Sequence, residues 1–209
     1  MDLGDQIKNS RNLLVQIALV ALLSSCISHN HSAGDWVLPS TLPDGSCPNI
    51  SGKYTNSGLA ADSSAPAYLY CELISRKSDS CSVTEAKLID QITIDQKGTE
   101  LNISALRGDD IISSVSLVSS QDDYLCKDGW IALESKGVRG YGSSAVEFAS
   151  LTRNFAISQN HLLEKKTTKS LLLISVLPIT ISTTSWYMYS QAAGSNNSFT
   201  SDTPDEHRH

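Results

Sequence analysis

Apolar and polar residues alternate along much of the chain after residue 88, a pattern typical of half-buried strands. Ile92 and Ile94 alternate with polar neighbours, and the same alternation returns over residues 101–105. Gly98 lies between the two runs and suits the positive φ that a tight hairpin turn requires. The pattern therefore predicts a β-hairpin in this part of the chain.

Similar alternation continues to the C-terminal block. Further strands are predicted over residues 67–74, 114–117, 130–133, 145–152, 154–158 and 161–165, with turns or loops at 107–110, 121–123, 137–142, 159–160 and 165–169. Residues 171–189 are apolar but rich in Ser and Thr, so two strands divided at Pro178 fit better than a transmembrane helix. A short helix is predicted near residues 83–88, where Ser82 and Glu85 have the spacing of a capping box.

About eight or nine short strands joined by sequential turns predict an all-β fold. We expect an antiparallel meander that forms a small barrel of the lipocalin-like type or a two-layer sandwich. The strand pattern does not distinguish a barrel filled by side chains from one that holds a ligand.

The N-terminal apolar run covers residues 13–23 and follows Lys8 and Arg11. A membrane-spanning helix needs about 20 apolar residues, so this run is too short to span a bilayer and predicts a removable export signal.

The end of this run, Leu23-Ser24-Ser25-Cys26, resembles the lipobox of bacterial lipoprotein precursors. The resemblance covers the first 26 residues and implies cleavage before Cys26, a diacylglyceryl thioether on its sulfur and usually acylation of its amino group. Residue 27 is Ile rather than Asp, and in many Gram-negative lipoproteins the absence of Asp at this position accompanies sorting to the outer membrane, facing the periplasm. The alternative is an ordinary secretory signal that leaves Cys26 as a thiol.

Residues 26–46 are polar and contain Pro39 and Pro43, which predicts a flexible tether. A single β domain is predicted over residues 47–190 and a disordered polar tail over 191–209. The formal net charge of −6 argues against nucleic acid as a partner, because that function needs a basic surface.

Four further cysteines, Cys47, Cys71, Cys81 and Cys126, predict two disulfides in an exported chain. Three pairings are possible. Cys71 and Cys81 flank a short polar run and suit a small loop, which would leave Cys47 with Cys126. A four-thiolate metal site is the alternative, but the chain lacks the CxxC spacing that such sites use.

No residue pattern indicates catalysis, a metal site or a cofactor. His161 follows a predicted turn and is interpreted as a surface residue, and the run around Ser143 lacks the spacing of a nucleophile elbow. Aromatic residues either line a barrel mouth or pack in the core; they are Tyr68, Tyr70, Trp130, Phe148, Phe155, Trp186, Tyr187 and Tyr189.

The sequence therefore favours a non-enzymatic lipoprotein, attached to the membrane through Cys26, with a structural or protein-binding role in the cell envelope. Two alternatives remain open. One is a module that binds a small apolar ligand, and the other is an inhibitor of a cell-wall hydrolase that acts through the predicted loop 137–144.

Overall fold

The computed structural model describes residues 26–43, 46–62, 65–75, 81–141, 145–174 and 177–192. The predicted signal peptide and residues 193–209 of the predicted tail lie outside these ranges. No helix in the described ranges has both the length and the apolar composition needed to cross a membrane.

The described ranges form twelve strands, two short α-helices and one turn of 3-10 helix over Ser119–Gln121. In chain order the strands are β1 (Cys26–Asn30), β2 (Gly52–Thr55), β3 (Ser57–Ala60), β4 (Ala67–Tyr68), β5 (Gln91–Lys97), β6 (Glu100–Arg107), β7 (Asp110–Val118), β8 (Leu125–Lys127), β9 (Trp130–Tyr141), β10 (Ala145–Ser158), β11 (His161–Ile174) and β12 (Leu177–Ser190). The helices are α1 (Leu69–Leu73) and α2 (Val83–Ala86).

The strands form two sheets, and the predicted all-β antiparallel architecture is confirmed. The larger sheet runs β4-β3-β12-β11-β10-β9-β8 and curls into a half-barrel, while the smaller has the order β2-β5-β6-β7. The predicted hairpin around Gly98 joins β5 to β6, and its φ is +60°. Gln159 and Asn160 form the predicted tight turn between β10 and β11, both with positive φ.

Both sheets contribute to a single hydrophobic core. Every second residue of the core-forming strands points inward and packs against side chains of α1. The largest fully buried side chains are those of Tyr54, Tyr124, Tyr189, Phe155, Ile50, Leu69, Leu73, Ile92, Ile94, Leu101, Ile103 and Leu117. The core fills the inner face of the half-barrel near the β10–β11 turn, because Phe155, Leu162 and Tyr189 all belong to it.

Strands β9 to β12 are longer than the sequence predicted. The predicted loop over residues 137–142 and the charged connection 165–169 are wrong, since residues 137–141 belong to β9 and 165–169 to β11. Polar and small residues interrupt the apolar pattern there, but backbone pairing to the neighbouring strands continues through them. The apolar block 171–189 belongs to two strands, as predicted, because β11 ends at Ile174 and β12 begins at Leu177. Pro178 lies inside β12, opposite Leu173.

The predicted strand over residues 67–74 is wrong beyond Tyr68, where helix α1 begins. Asn56 redirects the chain, because its backbone and side-chain oxygens accept hydrogen bonds from Leu69 N and Tyr70 N, both at 2.8 Å. The predicted helix near residue 83 is confirmed as α2, and Ser82 Oγ accepts the capping hydrogen bond from Glu85 N at 3.3 Å.

The two ends of the domain differ from prediction. The predicted flexible tether begins with strand β1, which pairs in parallel with residues 180–184 of β12. This pairing provides hydrogen-bond partners for backbone groups on that side of β12. At the other end, Ala192 N donates to Lys53 O at 2.9 Å, so backbone pairing to β2 extends beyond residue 190.

Candidate functional site

An open trough of about 670 Å³ lies on the inner face of the half-barrel, beyond the filled core. Most of its floor comes from inward-facing residues of β9, β10 and β11. Gly137, Ala149 and Ser170 form one cross-strand row, and their small side chains leave the space that larger residues occupy in the core. The trough therefore continues the core surface as a concave face open to solvent.

Charged residues lie at the mouth of the trough. Arg139 and Glu147 are directly opposite each other on β9 and β10, and Tyr141 Oη donates to Glu147 Oε2 at 2.7 Å. The hydrogen bonds from Tyr141, first, and from Ser170 lower the pKa of Glu147 below its ordinary value. Glu147 thus remains a carboxylate at neutral pH.

The inner end of the trough is closed by a cluster of three charges. Arg153 on β10 donates from Nε to Glu72 Oε2, and Lys166 on β11 donates from Nζ to Glu72 Oε1 at 2.6 Å. The Arg153 and Glu72 side chains are less than one-tenth exposed. This cluster ties helix α1 to the inner face of the large sheet.

Glu164 lies behind this cluster, fully buried on β11. Its Oε2 accepts a hydrogen bond from Tyr189 Oη at 2.8 Å, while its Oε1 has no hydrogen-bond partner. Burial, first, and the nearby charge of Glu72 raise the pKa of Glu164 to about 8, against the opposing effect of Lys166. The carboxyl group therefore holds its proton at neutral pH.

Neither buried acid was predicted from the sequence. Glu164 has a recognisable signal, because it lies two residues after Leu162 and so shares the face of β11 that enters the core. Glu72 has no comparable signal, since the pattern around it predicts a strand rather than a helix.

One rim of the trough is a free strand edge. Strand β8 pairs with β9 only over residues 130–132, whereas β10 pairs with β9 along residues 131–141. Within the described ranges, the backbone groups on the other side of β9 from residue 133 onward have no neighbouring strand. Such an edge is able to accept an added strand.

Both disulfides of the favoured pairing are present, Cys47 with Cys126 and Cys71 with Cys81. Cys26 is the free cysteine of the described ranges and is exposed. Because the other four sulfurs are bonded in pairs, the alternative of a four-thiolate metal site is wrong.

The other candidate residues do not converge on the trough. His161 begins β11, as predicted, but the prediction of a surface residue is wrong, since it is half-buried and its Nδ1 is buried without a hydrogen-bond partner. His31, just beyond β1, has its Nδ1 3.1 Å from Asp62 Oδ2. Of the predicted aromatic set, Phe155 and Tyr189 are in the core, while Phe148 is on the outer face. Within the described ranges, no cluster of three or more His, Cys, Asp or Glu residues has the arrangement of a metal site.

The trough presents positive and negative groups along a concave sheet. Its described lining includes no histidine or cysteine, and its charged side chains are suited to recognising a polar, extended ligand. A scan against models of known protein families finds no match for this chain, and a search of curated proteins finds no similar sequence.

Proposed function

We propose that this protein is a lipoprotein of the bacterial envelope, anchored through a lipid on Cys26, whose trough binds an extended segment of a partner protein without catalysing a reaction. The observation that carries the anchor is the state of the five cysteines. Four are bonded in two disulfides, and the remaining one is exposed at the position where the lipobox-like sequence would be cleaved.

The lipobox-like sequence explains why an exported chain would keep this fifth cysteine. An exposed free thiol in an oxidising compartment is prone to unwanted disulfide exchange, whereas a thioether is inert to it. Two or three acyl chains on one residue provide firm attachment, at about 0.8 kcal/mol for each buried CH₂ group. Ile27 in place of Asp favours the outer membrane as the site of attachment.

The trough and the free edge of β9 support a protein partner. A peptide in extended conformation can add its backbone to an open strand edge while its side chains enter the adjoining groove. Arg139 and Glu147 at the mouth of the trough offer charges of both signs for selecting such a segment.

A small apolar ligand is less suited to this molecule. Tyr189, Phe155 and neighbouring core residues fill the end of the half-barrel that the second sheet covers, and the open end is lined by charged and hydroxyl groups. A hydrolase inhibitor would act through the predicted loop 137–144, but the chain is strand β9 as far as Tyr141. An inserting loop therefore finds no support over residues 137–141.

The anchor is tested by expressing the full chain in a Gram-negative host with radiolabelled palmitate and measuring the intact mass of the mature protein. We expect a labelled product that begins at Cys26 and sediments with outer membranes, and no label in Cys26→Ala. An unlabelled product cleaved at another residue would contradict the lipid anchor.

The trough is tested by placing a photo-crosslinking residue at Gly137, on the inner face of β9 at its free edge, and, as a control, at Ile112 on the exposed edge strand β7. We expect one discrete protein adduct from position 137 and none from 112. The partner, identified by mass and then purified, should bind Arg139→Asp roughly tenfold more weakly than the wild type, a loss of about 1.4 kcal/mol. Equal adducts from both positions, or unchanged affinity of the variant, would reject this role for the trough.

A further inference from the structure

An apolar strip crosses the outer face of the large sheet, on the side opposite the trough. Val138, Phe148 and Leu171 are direct neighbours on β9, β10 and β11, with exposed fractions of 66%, 46% and 38%. Thr180 continues the same row on β12. A row of large apolar side chains on a solvent-facing sheet surface is a sign of an interaction site.

The register places Cys26 at the end of this row. Strand β1 pairs in parallel with β12, and Cys26 is the partner of Thr180, so both side chains share the outer face. Neighbouring strands are about 4.8 Å apart, which puts Leu171 about 10 Å and Phe148 about 14 Å from Cys26 along the row. A lipid on the Cys26 sulfur would therefore start level with the strip.

Polarity changes stepwise along the strands on this face. On the side of the β9–β10 and β11–β12 connections, the next row on this face is also apolar and contains Val146 and Leu173. On the other side of the strip, toward the β10–β11 turn, the next row contains Lys136 and Lys169, and the row after it contains Glu134 and Thr152. The order of apolar, cationic and then other polar rows matches the order of acyl chain, phosphate and water at a membrane surface.

We propose that this strip is a second membrane contact, in which Val138, Phe148 and Leu171 enter the acyl boundary of the bilayer while Lys136 and Lys169 bind lipid phosphates. The inference rests on the proposed lipid on Cys26, which would hold the strip at the membrane surface. Since the trough lies on the opposite face of the same sheet, this contact turns the trough and its charged mouth away from the lipid. The protein would thus present its binding surface to the aqueous compartment in one orientation.

The test places a benzoyl-phenylalanine photo-crosslinker at Phe148 in the full-length chain, with the same residue at Thr152 as the matched control. Both positions are on the outer face of β10, two rows apart. The processed protein is reconstituted into vesicles of phosphatidylethanolamine and phosphatidylglycerol and irradiated. We expect the mass of one phospholipid to be added at position 148 and at least fivefold less adduct at 152.

Replacing Lys136 and Lys169 together by Gln should reduce the preference of the 148 adduct for phosphatidylglycerol over phosphatidylethanolamine. Equal adducts at 148 and 152, or an adduct with a second copy of this chain instead of lipid, would overturn the membrane contact. The intact mass of the same samples separates the two proposals. Acylated protein without a lipid adduct would contradict the membrane contact of the strip but not the lipid on Cys26. A lipid adduct on unacylated protein would contradict the lipid on Cys26 but not the membrane contact.

Discussion

Tyr189 donates a hydrogen bond of 2.8 Å to Glu164 across the two central strands of the large sheet, and neither residue is exposed to solvent. Burial of both groups raises the pKa of Tyr189 well above its ordinary value and that of Glu164 to about 8. The pair is therefore neutral at pH 7, which allows a carboxyl group to occupy the core beside the Glu72 cluster. The contribution of this pair to the free energy of unfolding therefore depends on pH.

We expect this pair to make the protein less stable as the pH rises from about 4.5 to about 8. In that range the unfolded chain releases the Glu164 proton, because the ordinary pKa is 4.5, while the folded protein retains it until about pH 8. The unfolded state binds fewer protons, so the free energy of unfolding falls with pH. Glu164→Gln cannot titrate, and its stability relative to wild type should rise between pH 5 and pH 8 in urea unfolding.

The exposed Glu134→Gln provides the control for this pH dependence, since its stability relative to wild type should stay nearly constant. A pH-independent difference for Glu164→Gln would show that Glu164 is already ionised in the folded protein.

Glu72→Gln should be among the most destabilising single changes in the chain. Gln keeps the shape of the side chain but removes the negative charge that compensates the buried Arg153 guanidinium and Lys166. Breaking a buried ion pair in this way costs about 3 kcal/mol or more. Thermal and urea unfolding measure the loss, and the exposed Glu85→Gln should stay within about 0.5 kcal/mol of wild type. A small loss for Glu72→Gln would indicate that water screens the cluster.

The two disulfides should contribute unequally to stability. Cys47 and Cys126 are separated by 79 positions and Cys71 and Cys81 by 10, and a bridge that closes a longer loop removes more entropy from the unfolded chain. Replacing the first pair by Ser should lower the free energy of unfolding by about 4 kcal/mol and the second by about 3 kcal/mol. The reverse order in denaturant unfolding would mean that the loop carrying α1 depends on its own bridge to fold.

Gly58→Ala should destabilise the protein through Tyr189. A Cβ atom at residue 58 would lie 2.5 Å from Tyr189 Cε1, and this ring is fully buried and hydrogen-bonded. Overpacking of this kind costs about 1–3 kcal/mol. Gly137→Ala is the matched control, because a Cβ there meets no atom within 4 Å and points into open space. Equal melting temperatures for both variants would contradict the close packing of β3 against Tyr189.

Local signals predicted the parts of the fold whose geometry is set within a few residues. The hairpin around Gly98, the Gln159–Asn160 turn and the helix that begins after Ser82 are confirmed, because turn and capping preferences act over short distances. Where a partner far along the chain decides the conformation, prediction failed. The segment after Tyr68 is a helix because Asn56 accepts hydrogen bonds from its first residues, which no local pattern indicates.

By itself, the sequence determined the all-β class, most of the hairpin turns, the even set of four core-domain cysteines and the lipobox-like site at Cys26, since alternation, turn residues and motif spacing are properties of neighbouring positions. Only the tertiary structure decided that β9 to β12 continue through their polar stretches, that Glu164 is buried beside Tyr189, and that Cys26 lies level with Phe148. These features depend on the register between strands distant in sequence, which is set by the packing of the whole sheet rather than by any single segment.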